Sequence, residues 1–210
     1  MKLREQKMIK ETLEFLQPTP KYRELCILKE LENNPKYSQK KIAEKVGLAP
    51  SMVNTYIKNI SKRGFLKCTG ENHKNMQYIL TEKGQAWKIE LLMKFLNETI
   101  LLYKAGKNEF KQKLMIFINE GMKKVVLYGA SDTCELVMNA LGNLGIKILA
   151  LVDSDPKIHG KVINGFVVKP PCAIEELKPD FVIITSLGCG EEIYSDISGL
   201  EKIGIRVRKL

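Results

Sequence analysis

The sequence predicts an α/β chain built in two parts, a small α+β domain and then a parallel sheet with helices on both faces. Three observations predict it. Apolar side chains in the first half recur every three or four residues, the period of helices with one buried face, until two short strands interrupt them. In the second half continuous apolar runs, VVLYG, ILALVD and FVIITS, alternate with helical stretches, as strands buried on both faces do. Charge divides the same way: residues 1–122 carry 23 Lys and Arg against 13 Asp and Glu, and residues 123–210 carry 11 against 11, so the formal excess of +10 lies wholly in the first part. Such asymmetry points to a polyanion-binding half joined to an electrically balanced one.

A chain of 210 residues can bury two small cores, and 44% hydrophobic with 28% charged residues excludes disordered and fibrous classes. The opening MKLREQKMIKETLEF is charged throughout, and no run reaches the roughly 18 apolar residues of a membrane span. The expectation is a cytoplasmic protein without a membrane partner.

Taken in order, Leu3, Met8, Ile9, Leu13, Phe15 and Leu16 predict a leading helix over 3–16, broken by Pro18 and Pro20. Leu25, Ile27, Leu28 and Leu31 predict a second helix from about Tyr22 to Asn33. Next, SQKKIAEKVGLAPSMVNTYIKNISKRGFL reads as helix, tight turn, helix. Ser38 caps the first helix, and Gly47 supplies the left-handed backbone of the turn, which Leu48 plugs. Pro50 opens the next helix, with Val53, Tyr56, Ile57 and Ile60 as its inner stripe. Its outer face holds Ser51, Asn54, Thr55, Lys58 and Lys62, groups that hydrogen-bond base edges or phosphates. Two strands, Phe65 to Cys68 and Met76 to Leu80, then flank a polar loop with His73, Lys74 and Asn75, a wing suited to backbone contacts.

This order, closing on LTEKG, resembles the winged helix-turn-helix regulators of bacteria and archaea over residues 21–85. The resemblance implies a DNA-binding domain at 1–85. Residues 86–121 read as a helical linker: one helix from Thr81 to about Lys104 and, after Gly106, another from Asn108 to Asn119, both more apolar than one small domain needs. Helices leaving the wing pair the subunits in similar regulators, so a homodimer on palindromic double-stranded DNA is implied. Ordinary core packing within one chain is the alternative for these helices.

Residues 122–210 read as a Rossmann-like domain. Its elements are KKVVLYG, a helix to about Leu144, KILALVD, an extended VINGFVV, a helical turn AIEELK, DFVIITS, a helix from Glu191 to Ile203, and RVRKL. In such sheets ligands bind where strand carboxyl ends meet helix amino termini. That places Gly129, Ala130, Ser131 and Asp132 at the first turn, and Asp153 at the end of the second strand, a spacing suited to a carboxylate on ribose hydroxyls. Ser186 and Gly188 lie in a second amide-rich loop.

The layout of the whole chain resembles the Rex-type redox-sensing repressors, which implies an NAD(H)-responsive grip on DNA. The phrases VVLYGA, LVDSDPKIHG and PDFVIITS also resemble the small Rossmann-like modules attached to sugar-modifying enzymes. Where a dinucleotide site has G-x-G-x-x-G, this chain has Gly129-Ala130-Ser131-Asp132-Thr133-Cys134, with side chains where a pyrophosphate would lie. Three alternatives stay open for the domain: NAD(H), another nucleotide or small anion, or no ligand and a role in assembly.

Five cysteines without CxxC spacing argue against a disulfide framework and a finger-type zinc site. Cys134, Cys172 and Cys189 with His159 all follow strands, so they are candidates to converge as a thiol or metal sensor, with a helix amino terminus lowering the Cys134 pKa. The alternative is that they are small buried hydrophobes. No nucleophile–base pair or carboxylate pair shows recognisable spacing, and the expectation is a regulator rather than an enzyme.

Overall fold

The computed structural model describes residues 17–70, 76–142 and 144–210. The helix expected over 3–16 and the wing residues His73, Lys74 and Asn75 lie outside these. The chain divides into two units, residues 1–100 and 101–210.

The first unit starts with α1 (Pro20–Asn33), capped by the Thr19 hydroxyl on the Tyr22 amide. Helix α2 (Gln39–Val46) is capped by Ser38 and ends at Gly47, whose φ of 63° is the left-handed conformation the turn requires. Helix α3 (Pro50–Lys62) follows, then strands β1 (Leu66–Thr69) and β2 (Gln77–Leu80), paired antiparallel with Leu66 opposite Leu80. Leu25, Ile27, Leu28 and Leu31 of α1, Ile42 and Ala43 of α2, and Val53, Ile57 and Ile60 of α3 fill one core. Glu24 fastens its edge: it accepts from Trp87 Nε1 at 2.6 Å and pairs with Arg63, whose guanidinium lies over the Phe65 and Trp87 rings.

The linker corrects one expectation. It is a single helix, α4 (Glu82–Asn119), rather than two helices parted at Gly106. A mid-helix glycine costs about 1 kcal/mol, too little to break a helix that is anchored by packing on either side of it. Trp87, Leu91 and Leu92 join the first core; Leu114 and Phe117 join a core of the second unit.

The second unit is a six-stranded sheet of β3 (Lys124–Tyr128), β4 (Lys147–Val152), β5 (Val162–Ile163), β6 (Phe166–Lys169), β7 (Phe181–Ile184) and β8 (Arg206–Lys209). Its spatial order is β5-β6-β4-β3-β7-β8. All pairings are parallel except β5 with β6, so the segment expected as merely extended is a hairpin. Asn164 and Gly165, at φ 50° and 83°, make its two-residue turn. Alternation along β3 explains the two faces. Val125 and Leu127 pack with α4 and α5 (Asp132–Leu141), while Val126 and Tyr128 pack with α6 (Ala173–Leu177) and α7 (Gly190–Ile197). The last helix is shorter than expected, and 198–203 continues it as a 3-10 turn.

Candidate nucleic-acid interface and ligand cleft

Helix α3 owes its position to the Gly47 turn and to its buried stripe, which together leave one face outward. On that face Ser51, Thr55, Lys58 and Lys62 are exposed and Asn54 is half-buried. Among the described residues Lys58 and Lys62 have no ion-pair partner, whereas Lys41, Lys45, Arg63 and Lys88 are paired with carboxylates. The Thr55 hydroxyl donates back to the Ser51 carbonyl at 3.1 Å, so its oxygen lone pairs and methyl remain for outside contacts. A contact not foreseen from the sequence joins three elements. Gln39 Nε2 on α2 donates to the Tyr78 hydroxyl on β2 (3.1 Å) and to Asn54 Oδ1 on α3 (3.4 Å).

In the second unit the two loops singled out in the sequence meet at the carboxyl edge of the sheet. Gly129, at φ 107°, is pressed against the next loop: a side chain there would lie 3.2 Å from the Ser186 amide and 3.2 Å from Thr185 Oγ1. Thr185, fully buried, donates its hydroxyl to the Tyr128 and Gly129 carbonyls (2.8 and 2.6 Å). The Asp153 carboxylate is already engaged, accepting from the Ala130 amide (2.8 Å) and the Asp155 amide (2.9 Å). The His159 ring donates from Nε2 to the Asp153 carbonyl (2.8 Å), closing the loop that follows β4. Ser131 and Asp132 are exposed beside this cluster.

Open space lies one strand further along. A cleft of about 640 Å³ is lined by Ser186, Leu187, Gly188 and Gly190, by Tyr194 and Glu191 of α7, by Lys209 of β8, and by Lys113 of α4. Lys209 Nζ is held by Glu191 at 2.7 Å and lies over the Tyr194 ring. Ser186 and Gly188 were legible in advance as loop residues. The lysines lining the cleft were not, because nothing local ties them to it.

The metal sensor weighed for the cysteines is not assembled among the described residues. Cys134 is buried, Cys172 and Cys189 are exposed, and no group of three or more His, Cys, Asp and Glu among the described residues can hold a metal ion. The expected fall in the Cys134 pKa is reversed: burial pushes the thiol up to about 11. Desolvation of the thiolate outweighs the helix terminus here.

Fold and surface together define a winged helix-turn-helix DNA-binding domain joined to a Rossmann-like α/β domain. The comparisons agree for the first part. Residues 23–67 match the family described as winged helix-turn-helix DNA-binding, and residues 121–210 match the family described as C2185-like, N-terminal. No curated protein matches the chain. Similar solved structures include RSP, a Rex-family repressor, at 16% identity and TM-score 0.37, covering 90% of this chain and 76% of that one. UDP-D-quinovosamine 4-dehydrogenase from Vibrio fischeri is similar at 23% identity and TM-score 0.36, covering 43% and 79%. The DNA-binding protein Sso10a-2 from Sulfolobus solfataricus is similar at 23% and 0.33, covering 40% and 88%. At these scores the likenesses carry no argument about function. Among the described residues no helix is long and apolar enough to cross a membrane.

Proposed function

We propose that the protein is a homodimeric transcription regulator that grips palindromic DNA through α3 and the wing, and whose Rossmann-like domain senses a small anionic ligand. The observation that carries the DNA reading is the outward face of α3, where Lys58 and Lys62 have no ion-pair partner among the described residues and lie beside Ser51, Asn54 and Thr55. Cations already neutralised by carboxylates cannot release DNA counterions; these two can. The ligand reading rests on the cleft beside Ser186 and Gly188, which is lined by Lys113 and by Lys209, the latter paired with Glu191. A ligand there touches the chain that begins α7 and also α4, the helix whose other end packs in the DNA-binding core.

A specific observation favours a second reading, in which the Rossmann-like domain only assembles the protein. Asp153 already takes the Ala130 amide, a donor that would otherwise face a dinucleotide phosphate. One experiment separates the two readings. The melting temperature is measured with NAD(H), NADP(H), sugar nucleotides, acyl-CoA and metal ions, and DNA affinity is measured with any compound that raises it. A sensor shows a ligand that both stabilises the protein and changes its DNA affinity. If no compound shifts melting and DNA binding is indifferent to all of them, the assembly reading stands.

A further inference from the structure

We propose that Gln39 determines which base Asn54 reads. The inference rests on the reading of α3 as the helix that enters the major groove. An asparagine free to rotate presents both an acceptor and a donor, and pairs with adenine through N6 and N7. Asn54 is not free. Its Oδ1 accepts from Gln39 Nε2, and among the described residues its own amide nitrogen has no partner. Gln39 is itself held from behind, since the same Nε2 donates to the hydroxyl of Tyr78, whose ring is buried. The clamp therefore turns Oδ1 toward Gln39 and leaves Nδ2, a donor, as the free end of the amide. A donor alone fits guanine best, because N7 and O6 make the guanine edge acceptor-only, whereas adenine would leave its N6 amine unmatched. Gln39 is thus a positioning residue, acting on DNA through Asn54, and Tyr78 carries the constraint across from the wing.

The test selects the full-length protein against randomised duplexes and sequences the bound pool. Wild type is expected to prefer guanine by about tenfold at one position of each half-site, the low end for a direct base contact. Asn54→Ala is expected to erase that preference and leave the others. Gln39→Glu keeps the shape but turns the donor into an acceptor, so Asn54 reverses its amide and offers Oδ1 outward; preference at that position then moves to cytosine or adenine, whose edges carry an amine. Tyr78→Phe removes only a hydroxyl and is expected to lower the guanine preference several-fold without altering the other positions.

If Asn54→Ala relaxes the position while both Gln39→Glu and Tyr78→Phe keep the wild-type guanine preference, the clamp is overturned and Asn54 remains a reader. If Asn54→Ala changes nothing, the assignment of α3 falls together with the clamp. Should Gln39→Glu fail to fold, the Tyr78→Phe pool decides alone.

Discussion

At the scale of single residues the two halves of the molecule ask opposite things of their polar groups. On α3 the proposed gripping residues, Lys58 and Lys62, are cations without an ion-pair partner among the described residues. Lys58→Ala and Lys62→Ala are each expected to weaken binding to every sequence alike and to lower the slope of log affinity against log salt by about 0.9, the value for one released counterion. Thr55→Ala is expected to relax base preference with little change in slope. Filter binding over a salt series on cognate and scrambled duplexes reads both quantities, and equal effects from all three variants would undo the division into gripping and reading residues. In the sheet domain, by contrast, Cys134 matters because it is buried. Its thiol titrates at about 11 in the folded protein and at about 8.5 when unfolded. Below pH 8.5 both states hold the proton and stability is indifferent to pH. Between about 8.5 and 11 the unfolded chain loses the proton first, so stability falls by roughly 1.4 kcal/mol per pH unit. Cys134→Ala is expected to flatten that fall in urea titrations at pH 8 and pH 10. Parallel pH dependence in the two proteins would mean that the thiol is not the titrating group.

At the scale of elements, what could be read in advance was whatever short-range chemistry writes. The helix-turn-helix was legible because Ser38, Gly47 and Pro50 are a cap, a left-handed turn and a helix opener, each acting within four residues. The parallel sheet was legible because its central strands β3, β4 and β7 are apolar on both faces. The Asp153 bond to Ala130, the cleft lysines and the unbroken α4 depend on groups far apart in sequence, so no local pattern announced them. Two glycines of α4 make the distinction measurable. A methyl group on Gly84 would stand 2.0 Å from the Phe65 carbonyl oxygen, while one on Gly106 would meet nothing within 4 Å. Helix propensity alone favours alanine at both, by about 1 kcal/mol. Gly106→Ala is therefore expected to stabilise the protein by up to about 1 kcal/mol. Gly84→Ala is expected to destabilise it by about 3 kcal/mol, the upper range for overpacking, because a backbone atom cannot step aside. Urea midpoints check both, and a stabilised Gly84→Ala would show that α4 does not press on the Phe65 backbone.

At the scale of the whole molecule the unsolved surface is α4. Ile89, Met93, Leu96, Ile100 and Tyr103 are each between 43% and 60% exposed. Their spacing alternates four and three residues, as in the seam of a two-helix coiled coil, and Phe95, Leu101 and Leu102 are exposed on the same stretch. An apolar seam of that length left in water is a liability, and in the proposed dimer a second copy of the same helix covers it. Symmetry then supplies two α3 helices, which is what a palindromic site with half-sites one DNA turn apart demands. The double variant Met93→Glu, Ile100→Glu puts charge on the seam at positions exposed in the protomer, so folding should survive. It is expected to sediment as a monomer and to bind a palindromic duplex at least about tenfold more weakly, since each half-site then binds alone. Its affinity for an isolated half-site should match that of wild type. A variant that stays dimeric, or a monomer that holds the palindrome as tightly as before, would separate DNA recognition from α4 and leave the seam to some other partner.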